Sequence, residues 1–91
     1  MIRFRPVRNS ISKSLMDEKI FCTLEDMRRH IHERFRIALQ YVGDRKPLLP
    51  DHIRIGESRG NDSLTGYKNV RSVYVRGVRV GYCGEEETVN G

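Results

Sequence analysis

"VRSVYVRGVRVGYC", residues 70–83, decides the fold. Valine is branched at Cβ and favours extended backbone, and five valines recur here around one Arg-Gly pair. Arg76-Gly77 in the middle reads as a two-residue hairpin loop. Arginine is not the preferred residue at the first loop position, which leaves a longer loop open. With the two-residue loop, Val75 faces Val78, Val73 faces Val80 and Arg71 faces Tyr82. One face then holds Val73, Val75, Val78, Val80 and Tyr82. The other holds Val70, Ser72, Tyr74, Arg79, Gly81 and Cys83. A one-residue slip would mix the two sets, so the apolar agreement favours this register.

The neighbouring segments supply further strands. In "HIRIGE" (52–57), Ile53 and Ile55 point inward while His52 and Arg54 point outward. In "MIRFRPV" (1–7), Ile2 and Phe4 alternate with Arg3 and Arg5, and Pro6 ends the strand or places it at a sheet edge. "EKIFC" (18–22) is a short strand. Residues 8–17, with Ile11 and Leu15 four apart, make one helical turn or a tethered loop.

One long helix is legible between them. Thr23 is its N-cap, with Glu25 and Asp26 at the positive end of the dipole. Leu24, Met27, Ile31, Phe35, Ala38, Leu39 and Val42 form an apolar stripe at i+3 and i+4 spacings, and Gly43 ends it. Ile37 and Tyr41 at one side widen that stripe. Glu25 and Arg29 are set to pair on the opposite face. In "DRKPLLPD" (44–51), Leu48 and Leu49 are placed to tuck under the helix end.

The expected fold is α+β: a two-layer domain over residues 1–84, with a mainly antiparallel sheet in the order β-β-α-β-β-β and one long helix packed on one face. Residues 85–91, "EEETVNG", read as an acidic disordered tail. In 91 residues there is room for one core and no separate catalytic domain.

Charge points to a class of partner. The chain carries 17 basic and 12 acidic side chains, a net +5, and three of the acids lie in the tail. A basic body suits a polyanion. The outward sheet face collects Arg3, Arg5, His52, Arg54, Tyr74 and Arg79, with Arg76 at the turn. Open sheets that bind single-stranded nucleic acid combine such cations with an aromatic platform. A solvated charged face is the plainer reading of the same residues. The helix back, with Arg28, Arg29, His32 and Arg36, is a second basic surface, diluted by Glu25 and Glu33.

Chemistry finds little support. His30 and His32 are two apart on a helix and cannot chelate one metal from one face. His52, Asp62 and Ser63 can be written as a hydrolytic trio, but such trios are defined by geometry. The Gly-rich stretch 59–70 hands over to a strand, whereas phosphate cradles hand over to a helix N-terminus, so it reads as a connecting loop. Cys22 and Cys83 are too few for a disulfide scaffold and read as small buried hydrophobes in a reduced, cytoplasmic protein. The N-terminus lacks the apolar core of a signal peptide, and no apolar run suits a membrane span. No cofactor and no metal are expected.

Phe4, Arg5, Pro6, Arg8, Leu15, Gly60, Asp62, Gly66, Tyr67, Gly81 and Tyr82 stand in an arrangement that resembles a group of short phage- and prophage-encoded proteins. These open with a Phe-Arg-Pro-x-Arg run, carry a glycine-plus-acid loop before an aromatic, and close with a hairpin ending in Gly-aromatic. Val7 departs from the polar residue typical after the proline. Leu64-Thr65-Gly66-Tyr67 stands in place of an Arg-Ile-Gly-Trp-like run. The resemblance implies a mobile-element origin and a small accessory role, with no mechanism or site. The resulting expectation is a non-enzymatic binding module that contacts nucleic acid. The alternatives are a protein-interaction module or homodimer, joined by sheet edges or an outward Tyr74–Val70 patch, and an enzyme centred on His52 and the 59–68 loop.

Overall fold

The turn from strand to helix at Thr23 forms as its sequence dictates. Thr23 has extended backbone, and its Oγ1 accepts the Asp26 N–H at 3.1 Å. The computed structural model describes residues 1–8, 10–57 and 67–86. The elements are β1 (Ile2–Pro6), α1 (Ser10–Leu15), β2 (Lys19–Phe21), α2 (Leu24–Tyr41), a 3-10 turn (Pro50–His52), β3 (Ile53–Ile55), β4 (Tyr67–Val75) and β5 (Val78–Glu86). All strand pairs are antiparallel, in the order β2-β1-β5-β4-β3. The fold is α+β, with α2 on one face of a five-stranded sheet. Within 8–17, Ser10–Leu15 forms a six-residue helix, α1, the helical alternative.

Met27, Ile31 and Phe35 of α2 meet Phe4, Phe21, Leu48, Ile53, Val73, Val75, Val80 and Cys83 in one buried core. The apolar stripe continues past the sheet's reach. Ile37, Tyr41 and Val42 are exposed, which corrects the expectation of a wide buried face extending to Val42. Leu48 is buried and Leu49 is not. The α2 ion pairs run from Arg28 to Glu25 and from Arg29 to Asp26, both i,i+3, in place of Glu25–Arg29. Both cysteines are free. Cys22 is exposed, against expectation, whereas burial pushes the Cys83 thiol up to about 11.

The hairpin loop is Arg76-Gly77, with φ of 50° and 80°, and Val75 pairs with Val78. Arginine at positive φ is held by its own side chain. Its Nη1 donates to Asp44 Oδ2 at 3.0 Å and its Nη2 to the Lys46 carbonyl at 2.7 Å. These bonds tie the turn to the linker after α2 and offset the strain of the left-handed backbone.

Beyond the loop the expected register fails. Tyr74 pairs with Arg79, but Val73 pairs with Gly81 and Arg71 with Cys83, so Val80 is an extra residue in a β-bulge. The expected pairs Val73–Val80 and Arg71–Tyr82 do not form. The bulge turns Tyr82 to the outward face and brings Cys83 into the core, the reverse of the regular ladder. Val78, expected inward, is 63% exposed, and Val70, expected outward, is 1% exposed. A second irregularity lies between Lys68 and Arg71, where Asn69 takes φ 51°. Strand β5 runs through Glu86, and Ile2 pairs with Glu85, so the acidic segment begins inside the sheet. The remainder of that segment, and loop residues 59–66 with Asp62 and Ser63, lie outside the described residues.

Candidate nucleic-acid interface

The alternation of β1 sets the face. Phe4 is fully buried opposite Cys83, so Arg3 and Arg5 point away from α2. Arg5 stands opposite Tyr82, and Tyr82 opposite Ser72. One row further, Arg79 stands opposite Tyr74, and Tyr74 opposite Arg54. Four of the expected cations and Tyr74 therefore share one surface.

The centre of that surface is a cation between two rings. The Arg79 guanidinium carbon lies 5.4 Å from the Tyr82 ring centroid and 6.0 Å from that of Tyr74. Its Nη1 donates to the Tyr82 hydroxyl at 3.2 Å. Hydrogen bonds to Tyr74 and then Tyr82 raise the Arg79 pKa further, so this group is permanently charged. Arg5 and Arg54 are exposed at the two sides, and among the described residues neither they nor Arg79 has an acidic partner.

A different arrangement occupies the β2 end of the face. Arg3 pairs with Glu18 at 3.2 Å and lies 5.2 Å from the Tyr67 ring centroid. The Tyr67 hydroxyl donates to the same Glu18 carboxylate at 2.8 Å. Burial, and next that hydrogen bond, push the Tyr67 phenol up to about 12. The Tyr67 ring covers Gly84, where an added Cβ would stand 3.0 Å from Cδ2. The charge of Arg3 is thus largely balanced, and this corner is closed by its own contacts.

Of the two remaining expected residues, Arg76 keeps its place at the turn and His52 leaves the strand. Arg76 is engaged with Asp44 and the Lys46 carbonyl at the turn. His52 closes the 3-10 turn instead of lying on a strand. Its backbone N–H reaches the Leu49 carbonyl, and its Nδ1 accepts the Leu49 N–H at 2.9 Å. A proton-accepting nitrogen already in use makes a poor base for the imagined trio. On α2, His32 Nε2 donates to the Leu48 carbonyl at 2.6 Å. His30 lies 5.3 Å from the Phe21 ring, and burial, with Lys19 and Arg34 nearby, lowers its pKa. No group of three or more potential metal ligands occurs among the described residues.

The sequence reading missed Tyr67 and Tyr82. Tyr82 was hidden by the bulge, for which Gly81 is the one local signal: glycine inside a strand marks irregularity or a close approach. Tyr67 lay in the loop reading and proves to begin β4.

A second surface lies at the hairpin end. An open groove of about 980 Å³ runs between α1, the last turns of α2 and the β4–β5 turn, floored by Leu15, Phe35, Ala38, Val75 and Val80. Ile37, Tyr41, Val42 and Val78 stand exposed along it.

The fold and this face together define the class: a two-layer α+β protein with an antiparallel sheet whose side away from α2 carries arginines and tyrosines. No protein-family model, no curated protein and no solved structure matches the chain. Among the described residues no helix is long and apolar enough to cross a membrane.

Proposed function

We propose that this is a non-enzymatic accessory protein of phage or mobile-element origin, acting in the cytoplasm, that binds nucleic acid through the outward face of its sheet. The observation that carries the reading is the cluster of Arg5, Arg54 and Arg79, without acidic partners among the described residues, around the rings of Tyr74 and Tyr82. Cations spread across the sheet from β1 to β3 fit a ligand with repeated negative charge. The likeness of Phe4, Arg5, Pro6 and Arg8 to the opening of short phage proteins supports the origin.

Fluorescence anisotropy against labelled single-stranded DNA, across a salt series, tests this. Three to four phosphate contacts give a log–log slope of about −2 to −3 on single strands. Absence of binding at low salt removes the reading.

Self-association is the second reading, and its location shifts. The edge strands β2 and β3 have three residues each, too short to template pairing readily. Val70 is buried and offers no patch with Tyr74. The groove and its exposed Tyr41 and Val42 favour contact between copies at the hairpin end. Sedimentation velocity then shows a concentration-dependent dimer, lost in Tyr41→Asp. A monomer at every concentration discards it.

A further inference from the structure

We infer that Tyr74, Arg79 and Tyr82 form a subsite for stacking unpaired bases, so that the ligand is a single strand and not a duplex. This rests on the reading of the outward face as a nucleic-acid surface, and adds what part of the nucleic acid the face reads.

The argument starts from the shape of the three groups. Each is planar, and the guanidinium carbon lies within 6.0 Å of both ring centroids. Tyr74 and Tyr82 are half-buried on the outward face. Aromatic rings gathered about a guanidinium offer stacking surface to bases, and base faces are free only in an unpaired strand. In a duplex those faces are buried in the stack, and these rings would meet only backbone and base edges.

The cations are placed to match. Arg5 stands one strand beyond Tyr82, and Arg54 one strand beyond Tyr74. The strand order β1-β5-β4-β3 separates the two arginines by three strand spacings, about 14 Å, with the stacking groups between them. Backbone-tracking charge thus flanks a base-sized platform on both sides. The third tyrosine takes no part. Tyr67 is bonded to the Glu18 carboxylate, which repels phosphate and holds that corner closed.

The bulge at Val80 builds the subsite. Without that extra residue Tyr82 faces α2, and one ring alone remains beside Arg79. The irregularity has a positive use, since it re-aims a side chain onto the binding face.

The test compares three labelled probes of equal phosphate number: oligothymidine, the same strand without bases, and a duplex. The wild-type protein is expected to bind oligothymidine about tenfold or more tightly than the abasic strand, since stacking contributes roughly 1–3 kcal/mol per base. The duplex should follow the abasic strand. Tyr74→Leu with Tyr82→Leu should bind oligothymidine and abasic strand alike, while the paired Phe substitutions keep the preference. Equal binding of oligothymidine and abasic strand by the wild type, with the same salt slope, overturns the stacking subsite and leaves the charged face standing. No binding to any probe at low salt overturns both.

Discussion

Gly81→Ala is expected to lower stability by about 3 kcal/mol, the upper end of the cost of overpacking a close-fitted core. A Cβ at this position would lie 2.5 Å from Cε2 and Cζ of Phe4 and 2.5 Å from the Arg5 carbonyl oxygen. Neither partner can give way cheaply. Phe4 has no exposed surface and packs in the main core, and the carbonyl belongs to the backbone of β1. For a domain of this size such a loss shifts the melting temperature by roughly 12–24 °C. Phe4→Leu should recover part of the loss in the Gly81→Ala background, although it costs stability alone. Thermal melts of the two single variants and the double variant measure this. An unchanged midpoint for Gly81→Ala would show that Phe4 does not cover Gly81. The bulge beside it would then fall too.

Replacement of Arg3, Arg5, Arg54 and Arg79 together by glutamine is expected to weaken single-strand binding by about 100-fold or more at low salt and to flatten the salt slope toward zero. Glutamine keeps part of the aliphatic stem and a polar head, so packing beside the tyrosines is disturbed little. Arg3 should contribute least, because Glu18 already balances its charge. The control is Arg28, Arg29 and Arg36 on α2, two of which pair with Glu25 and Asp26. Their replacement by glutamine should change affinity by no more than about twofold. Anisotropy titrations of both variants decide between the faces. A greater loss in the α2 variant would move the interface to the helix.

How far the sequence carried this picture depended on the range of each interaction. The Thr23 cap and the Arg76-Gly77 loop were legible because they involve residues within a few positions of one another. The core half of α2 was legible because helical periodicity reports one face directly. The C-terminal turn of α2 misled for a complementary reason. Periodicity shows which residues could be buried, but not where the sheet beneath them ends, and Ile37, Tyr41 and Val42 project past it.

The hairpin shows the same limit more sharply. Alternating valines on both arms fit an unbroken ladder, and Gly81 is the one local signal against it. The register is set instead by Phe4, from the far end of the chain, whose ring occupies the space above Gly81. That non-local contact puts Tyr82 on the outward face, so of the two rings at the site only Tyr74 was legible. The arginines of β1 and β3 were placed correctly because they need only strand alternation. Arg76 stands at the turn as expected, but its bonds to Asp44 and Lys46, and the place of His52 in the 3-10 turn against Leu49, depend on the linker after α2, whose course short motifs do not specify.

The most direct measurement of the central claim is a ¹H–¹⁵N NMR titration of the protein with a short single-stranded oligonucleotide at low salt. The outward-face account predicts that the largest shifts fall on Arg5, Arg54, Tyr74, Arg79 and Tyr82, with smaller ones at Arg3 and a nearly silent α2. Shifts concentrated at Arg28, Arg29 and Arg36, or none at all at saturating oligonucleotide, would contradict it.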